Sequence, residues 1–317
     1  MAAASALVGA VVAAFLQRRL AIDGLSIAVF GAVTGTTVLV AIARGTAWGL
    51  RAYPYLALSI VGEAASRMLL GYAAGQAAPG AAAFLACYGI SALVGAVVGF
   101  LPGRAGLPGI ERPPILKLLK STAALAVAYA LFQVLAQFDI VVARMTLSEV
   151  EAGSFAAAAT LTKAALVVQT AVGTVVFSDA LASSSAVRSL VRGVLLTAGL
   201  VGLGILPATL CPRWVMLALF DSKFQQGSMV LGLLAVAMTM LATASVAAQY
   251  TLARAPWRAI AALALATLAT LAAYAVHHAS GLELAQSFMV GPIVLALALP
   301  VATLWGRRRD VSPAHSG

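Results

Sequence analysis

The strongest constraint in this sequence is a repeated length: one apolar run after another of about 20 residues, separated by short basic links. At a rise of about 1.5 Å per residue, a helix of that length crosses the roughly 30 Å hydrocarbon core of a bilayer. Ten such segments can be counted, at residues 2–16, 24–43, 54–74, 80–100, 119–142, 152–176, 193–211, 228–252, 257–276 and 286–305. Almost every face of these runs is apolar, so length and flanking charge define them better than periodicity does. With 62% hydrophobic and 9% charged residues, and a mean hydropathy of +1.01, the chain falls in the integral-membrane class. The expected fold class is all-α: a polytopic membrane protein of about ten transmembrane helices.

The net charge of +10 raises the question of nucleic acid. The basic residues sit in short clusters between apolar runs, where they read as topology signals and lipid-headgroup contacts. The links after the even-numbered segments, with the tail, carry 13 Lys and Arg; those after the odd-numbered segments carry 5. That asymmetry predicts a multi-pass protein of the cytoplasmic membrane with both termini in the cytoplasm. Residues Met1 to Leu16 lack a preceding basic region, and Gln17-Arg18-Arg19 is no small-residue cleavage site. The first run therefore reads as a membrane helix and not as a cleaved signal. Cys87 and Cys211 lie far apart in or beside apolar runs and read as small hydrophobes.

Enzyme classes find little support. The ten Asp and Glu are scattered, and no extramembrane stretch is long enough to hold a catalytic constellation. His277 and His278 are adjacent, so they cannot share a helix face as two metal ligands at i and i+4 would. No phosphate-binding glycine loop is present. The reading is a non-enzyme with no cofactor and no metal.

The charges inside the apolar segments are the informative ones. Asp139 lies near the end of one run and Lys163 near the middle of the next. An ionised group at mid-bilayer costs about 2.5–3.5 kcal/mol even on the lenient insertion scale, so both need a protein-lined or wet interior. Lys163 either pairs with Asp139 to hold helices together or contacts a substrate. Glu63 and Arg67 lie one helical turn apart. They read as an intrahelical ion pair or as a pair meeting a charged substrate. Asp139 and Glu63 are further candidates for ion coupling, or simply neutralise the cations beside them. Arg144, Glu149 and Glu151 read as solvated or interfacial. Gly31 with Gly35, Gly71 with Gly75, and Gly95 with Gly99 are spaced for close helix contact.

Proline and glycine are densest from Leu101 to Pro114. This marks a boundary between a bundle at 1–100 of about four helices and a six-helix bundle at 119–306, with a cytoplasmic link at 101–118 and a tail at 307–317. A weak internal echo bears on the inequality of four and six. Ala43-Arg44 with Gly45 and Trp48 is answered some 210 residues later by Ala253-Arg254 with Pro256, Trp257 and Arg258. Duplication of a six-helix lobe would explain that spacing, the first lobe lacking its first two helices.

Three stretches carry a family resemblance. The first is Phe138-Asp139-Ile140-Val141-Val142-Ala143-Arg144, followed by Leu147-Ser148, Glu149, Glu151-Ala152-Gly153, Phe155, Ala156-Ala157 and Lys163. The second is Leu219-Phe220-Asp221 with Phe224, then Tyr250-Thr251-Leu252-Ala253-Arg254. The third is Arg44, Gly49-Leu50-Arg51, and Glu63 with Arg67. Together they resemble the polysaccharide and oligosaccharidyl-lipid flippases of the multidrug/oligosaccharidyl-lipid/polysaccharide exporter superfamily.

The resemblance implies two six-helix bundles around a central cavity that alternates between inward- and outward-facing states. It implies an anionic lipid-linked glycan as substrate, with membrane lipids around the protein. Lys163 and then Arg67 would be the substrate-binding cations. Ten segments fall short of the usual twelve, which leaves a mis-assigned start, a degraded paralogue, or a protein that works with a second membrane chain supplying the missing helices. The alternative function is a non-transporting scaffold or relic of the same fold.

Overall fold

In hydrocarbon every backbone N–H and C=O must find a partner within the protein, and a helix provides this segment by segment. The computed structural model of the chain describes residues 24–50, 52–77, 80–102, 115–182, 186–220 and 222–307. Among these residues the chain is almost wholly helical and has no strand. Eight of its helical spans are long and apolar enough to cross a membrane. The protein is all-α and built for a membrane.

The chain divides into two compact units, Met1–Arg112 and Pro113–Gly317. The first holds α1 (Gly24–Gly49), α2 (Tyr53–Ala77) and α3 (Ala81–Phe100). Helix α3 packs closely on both others. Its small residues make that possible: a Cβ on Gly95 would stand 2.9 Å from Val40 Cγ2, and one on Gly99 would stand 2.9 Å from Ala43 Cβ. Such backbones approach because nothing projects between them. The same spacing at Gly71 and Gly75 serves no such contact. A Cβ on Gly71 would meet nothing within 4 Å, and one on Gly75 only the tip of Phe84.

The second unit runs α4 (Ile115–Thr146), α5 (Glu149–Thr162), α6 (Ala165–Ala182), α7 (Ala186–Leu210), the short α8 (Pro212–Leu219) and a 3₁₀ turn (Ser222–Gly227). It continues with α9 (Ser228–Arg254), α10 (Pro256–Val276) and α11 (Gly281–Arg307). Helix α9 is the centre. Its span is 61% buried, against 22–44% for the other seven, and the seven other α-helices of the unit all touch it. Leu231, Leu234, Met238 and Leu241 along it are sealed from solvent, together with Leu135, Phe155, Met216 and Phe288 from its neighbours.

Eight of the ten expected segments coincide with the eight spans. The expected first segment at 2–16, most of the 101–118 link and most of the 307–317 tail lie outside the described residues. The expected third segment, 54–74, is helical as α2 but is not among the eight. At 25 residues its length suffices. Glu63 and Arg67, with Ser59, Ser66 and Gln76, make it the more polar helix. Helix α4 starts at Ile115, so the last residues of the expected link are already helical. Helix α8, of eight residues, is too short to span, and its Trp214 is exposed.

The expected sixth segment, 152–176, is not one helix. It is broken into α5 and α6 at Lys163 and Ala164.

Candidate functional site

In the first unit the structure joins three charges. Arg67 donates through Nη2 to Glu63 Oε1 one turn earlier on α2. Arg44, from the last turns of α1, donates through Nη2 to Glu63 Oε2 at 2.5 Å. Helix α3 secures both arginines. Ser59 accepts from Arg44 Nε and donates to the carbonyl of Gly95. The Arg67 guanidinium lies 3.9 Å above the Tyr88 ring, a separation at which a cation is attracted to the aromatic face. One carboxylate thus serves two arginines, leaving one positive charge uncompensated within the cluster. Among the described residues neither arginine's Nη1 has a partner. Glu63 is buried, whereas the Arg67 side chain is 40% exposed.

In the second unit Lys163 Nζ donates to Asp139 Oδ1 at 2.7 Å. Asp139 belongs to the buried seam of α4, with Leu135, Ala136, Val142 and Ala143, and has no exposure at all. The Lys163 side chain is 10% exposed. The other carboxylate oxygen, Asp139 Oδ2, is buried without a hydrogen-bond partner among the described residues, as is the hydroxyl of Tyr274.

Lys163 caps the end of α5. Immediately beyond it the hydrogen-bond pattern tightens: Ala164, Leu166 and Val167 donate to the carbonyls of Leu161, Lys163 and Ala164, three residues back instead of four. A mid-helix stretch of this 3₁₀ type marks a hinge or a strained sequence. The full span, Glu149–Leu181, has 33 residues, so the break falls near its middle.

Of the three charges around the α4–α5 turn, Glu151 is placed otherwise than expected, whereas Arg144 and Glu149 are exposed as expected. Glu151 accepts from the backbone N–H of Gly281 at 2.8 Å and so caps the first turn of α11. It is a structural tie between helices, not a solvated group. Arg144 and Glu149 face each other at 3.5 Å across the α4–α5 turn, and Glu149 is highly exposed. His278 Nδ1 lies 3.0 Å from the carbonyl of Tyr274 at the end of α10. Among the described residues no three His, Cys, Asp or Glu side chains converge as a metal site would require.

Sequence reasoning missed one feature. A cavity of about 520 Å³ lies in the second unit among α4, α6, α9 and α10, and Lys163 is not among its lining residues. Its polar wall comes from Tyr129, Gln133 and Gln137 on α4, Gln169 on α6 and Gln249 on α9. The spacing of 129, 133 and 137 is one turn of helix each time, which was visible in the sequence.

No family model and no curated protein matches this chain.

Proposed function

We propose that the chain is a transporter that flips lipid-linked oligosaccharide or polysaccharide precursors across the cytoplasmic membrane by alternating access, as the flippase family does. The observation that carries this reading is the arginine pair of the first unit. Two guanidinium groups share one carboxylate in a membrane helix bundle, and each retains an unpartnered Nη1. An anionic headgroup such as a lipid diphosphate supplies what that cluster lacks, since guanidinium meets phosphate with paired, charge-assisted hydrogen bonds. The broken span at Lys163 supports it from the other unit, because discontinuous helices recur where transporters bind and move. The 13-to-5 basic asymmetry supports cytoplasmic termini.

One observation favours the alternative, a non-transporting scaffold of the same fold. Lys163 is held by Asp139 in a buried bond and offers no free cation to a substrate. Arg67→Gln separates the two readings. Vesicles containing equal amounts of folded wild-type or variant protein are loaded with a fluorescent polyprenyl-diphosphate sugar, and the outer-leaflet fraction is read by an impermeant quencher. Transport requires a protein-dependent rise that Arg67→Gln largely removes. No rise with the wild type refutes transport.

A further inference from the structure

The cavity among α4, α6, α9 and α10 differs in chemistry from both charge clusters. Four of the chain's nine glutamines line it, with Tyr129 and the hydroxyls of Thr170, Thr174 and Ser245, and no charged side chain does. The chain has no asparagine, so glutamine is its only side-chain amide. Nearly half of that inventory lines one open cleft of the second unit.

These amides are not consumed by the fold. Gln133 donates to the Tyr129 hydroxyl at 2.5 Å, and Gln169 accepts from Thr170. Gln137 and Gln249 have no hydrogen-bond partner among the described residues, and the Gln169 amide hydrogens have none either. An amide carries two donors and an acceptor; Gln169 is buried, Gln133 and Gln249 are half-buried and Gln137 is exposed, so their free groups face the cleft, where a ligand can reach them. The backbone also makes room for one of them, since a methyl group on Gly173 would collide with the Gln249 carboxamide. The remaining wall is apolar and aromatic, including Phe132 and Phe177.

We infer that this cavity is a binding site for an uncharged, hydroxyl- or acetamido-bearing ring, such as the neutral sugar of a glycolipid headgroup. Amides that donate and accept match groups that do both. Aromatic faces suit the C–H faces of such a ring. A carboxylate or phosphate entering the same space finds no cation to replace its water, so charged headgroups are rejected. This deepens the transport reading and rests on it for the glycolipid identity of the ligand.

The test uses the full chain in phosphatidylcholine nanodiscs, titrated with dodecyl N-acetylglucosaminide, dodecyl glucuronide, dodecyl phosphate and free N-acetylglucosamine, with occupancy read by native mass spectrometry. The neutral glycoside binds at least roughly tenfold tighter than the two charged amphiphiles, the scale expected when buried polar groups go unmatched. Gln137→Leu with Gln249→Leu reduces neutral binding by about the same factor at an unchanged melting temperature. Equal binding of free N-acetylglucosamine keeps the site's chemistry and assigns it to a soluble sugar. The inference is overturned if the charged amphiphiles bind the wild type as well as the neutral one, if nothing binds, or if the folded double variant binds normally. The wild-type comparison stands even where that variant does not fold. Binding is measured apart from translocation: flipping without neutral preference sinks this inference alone, and neutral preference without flipping sinks the transport reading alone.

Discussion

Removing the ammonium of Lys163 strands a carboxylate that has nowhere to go. Asp139 is fully buried, and among the described residues its Oδ1 is held by Lys163 alone, at 2.7 Å, while its Oδ2 already lacks a partner. Breaking a buried pair from one side typically costs about 3–5 kcal/mol, whereas replacing both members with apolar groups is often neutral. Lys163→Met is therefore expected to lose about 3–5 kcal/mol, a large part of the stability of an ordinary domain. Asp139→Ala is expected to lose less, because the long lysine stem can carry its charge toward a more polar level. The double variant is expected to recover most of the loss, giving a coupling of a few kcal/mol. Reversible unfolding of the four proteins in mixed micelles measures it. Additive losses, or a Lys163→Met cost under about 1 kcal/mol, would show that no ion pair holds α4 to the α5–α6 break.

Two further expectations follow from packing and topology. Gly99→Ala should destabilise the first unit by about 1–3 kcal/mol, because the new methyl meets Ala43 Cβ at 2.9 Å and Ala43 backbone at 3.3 Å. Gly71→Ala, with nothing within 4 Å, should cost nothing, and thermal melts of the pair compare them directly. For orientation, an impermeant thiol reagent added outside intact cells should label the native, exposed Cys211 and leave a cysteine introduced at Gly106 unlabelled. Labelling of the Gly106→Cys site from outside would invert the proposed topology.

Run length made most of the helices legible, because a membrane helix must fill a fixed thickness whatever its sequence. Glu63 with Arg67 was legible for a similar reason: four residues is one turn, and the turn brings them together. Arg44 was not, since its place beside Glu63 depends on how α1 and α2 both pack on α3. The break after Lys163 carries no local signal either. Leu161-Thr162-Lys163-Ala164-Ala165 contains no glycine or proline, so the interruption belongs to the tertiary structure in which Lys163 meets Asp139. The glutamine cavity was half legible. Tyr129, Gln133 and Gln137 form a stripe at helical spacing, but Gln169 and Gln249 complete it from helices that only folding brings alongside. In a chain this apolar, hydrophobic periodicity could not single out the α4 face bearing Asp139, because the opposite face is apolar too.

The most direct measurement of the central claim is one rate: the appearance of a polyprenyl-diphosphate sugar at the outer leaflet of vesicles that contain the wild-type chain, against matched protein-free vesicles. Transport predicts a clear protein-dependent acceleration that grows with the number of copies per vesicle. Identical rates, from protein shown to be folded and inserted, would contradict it.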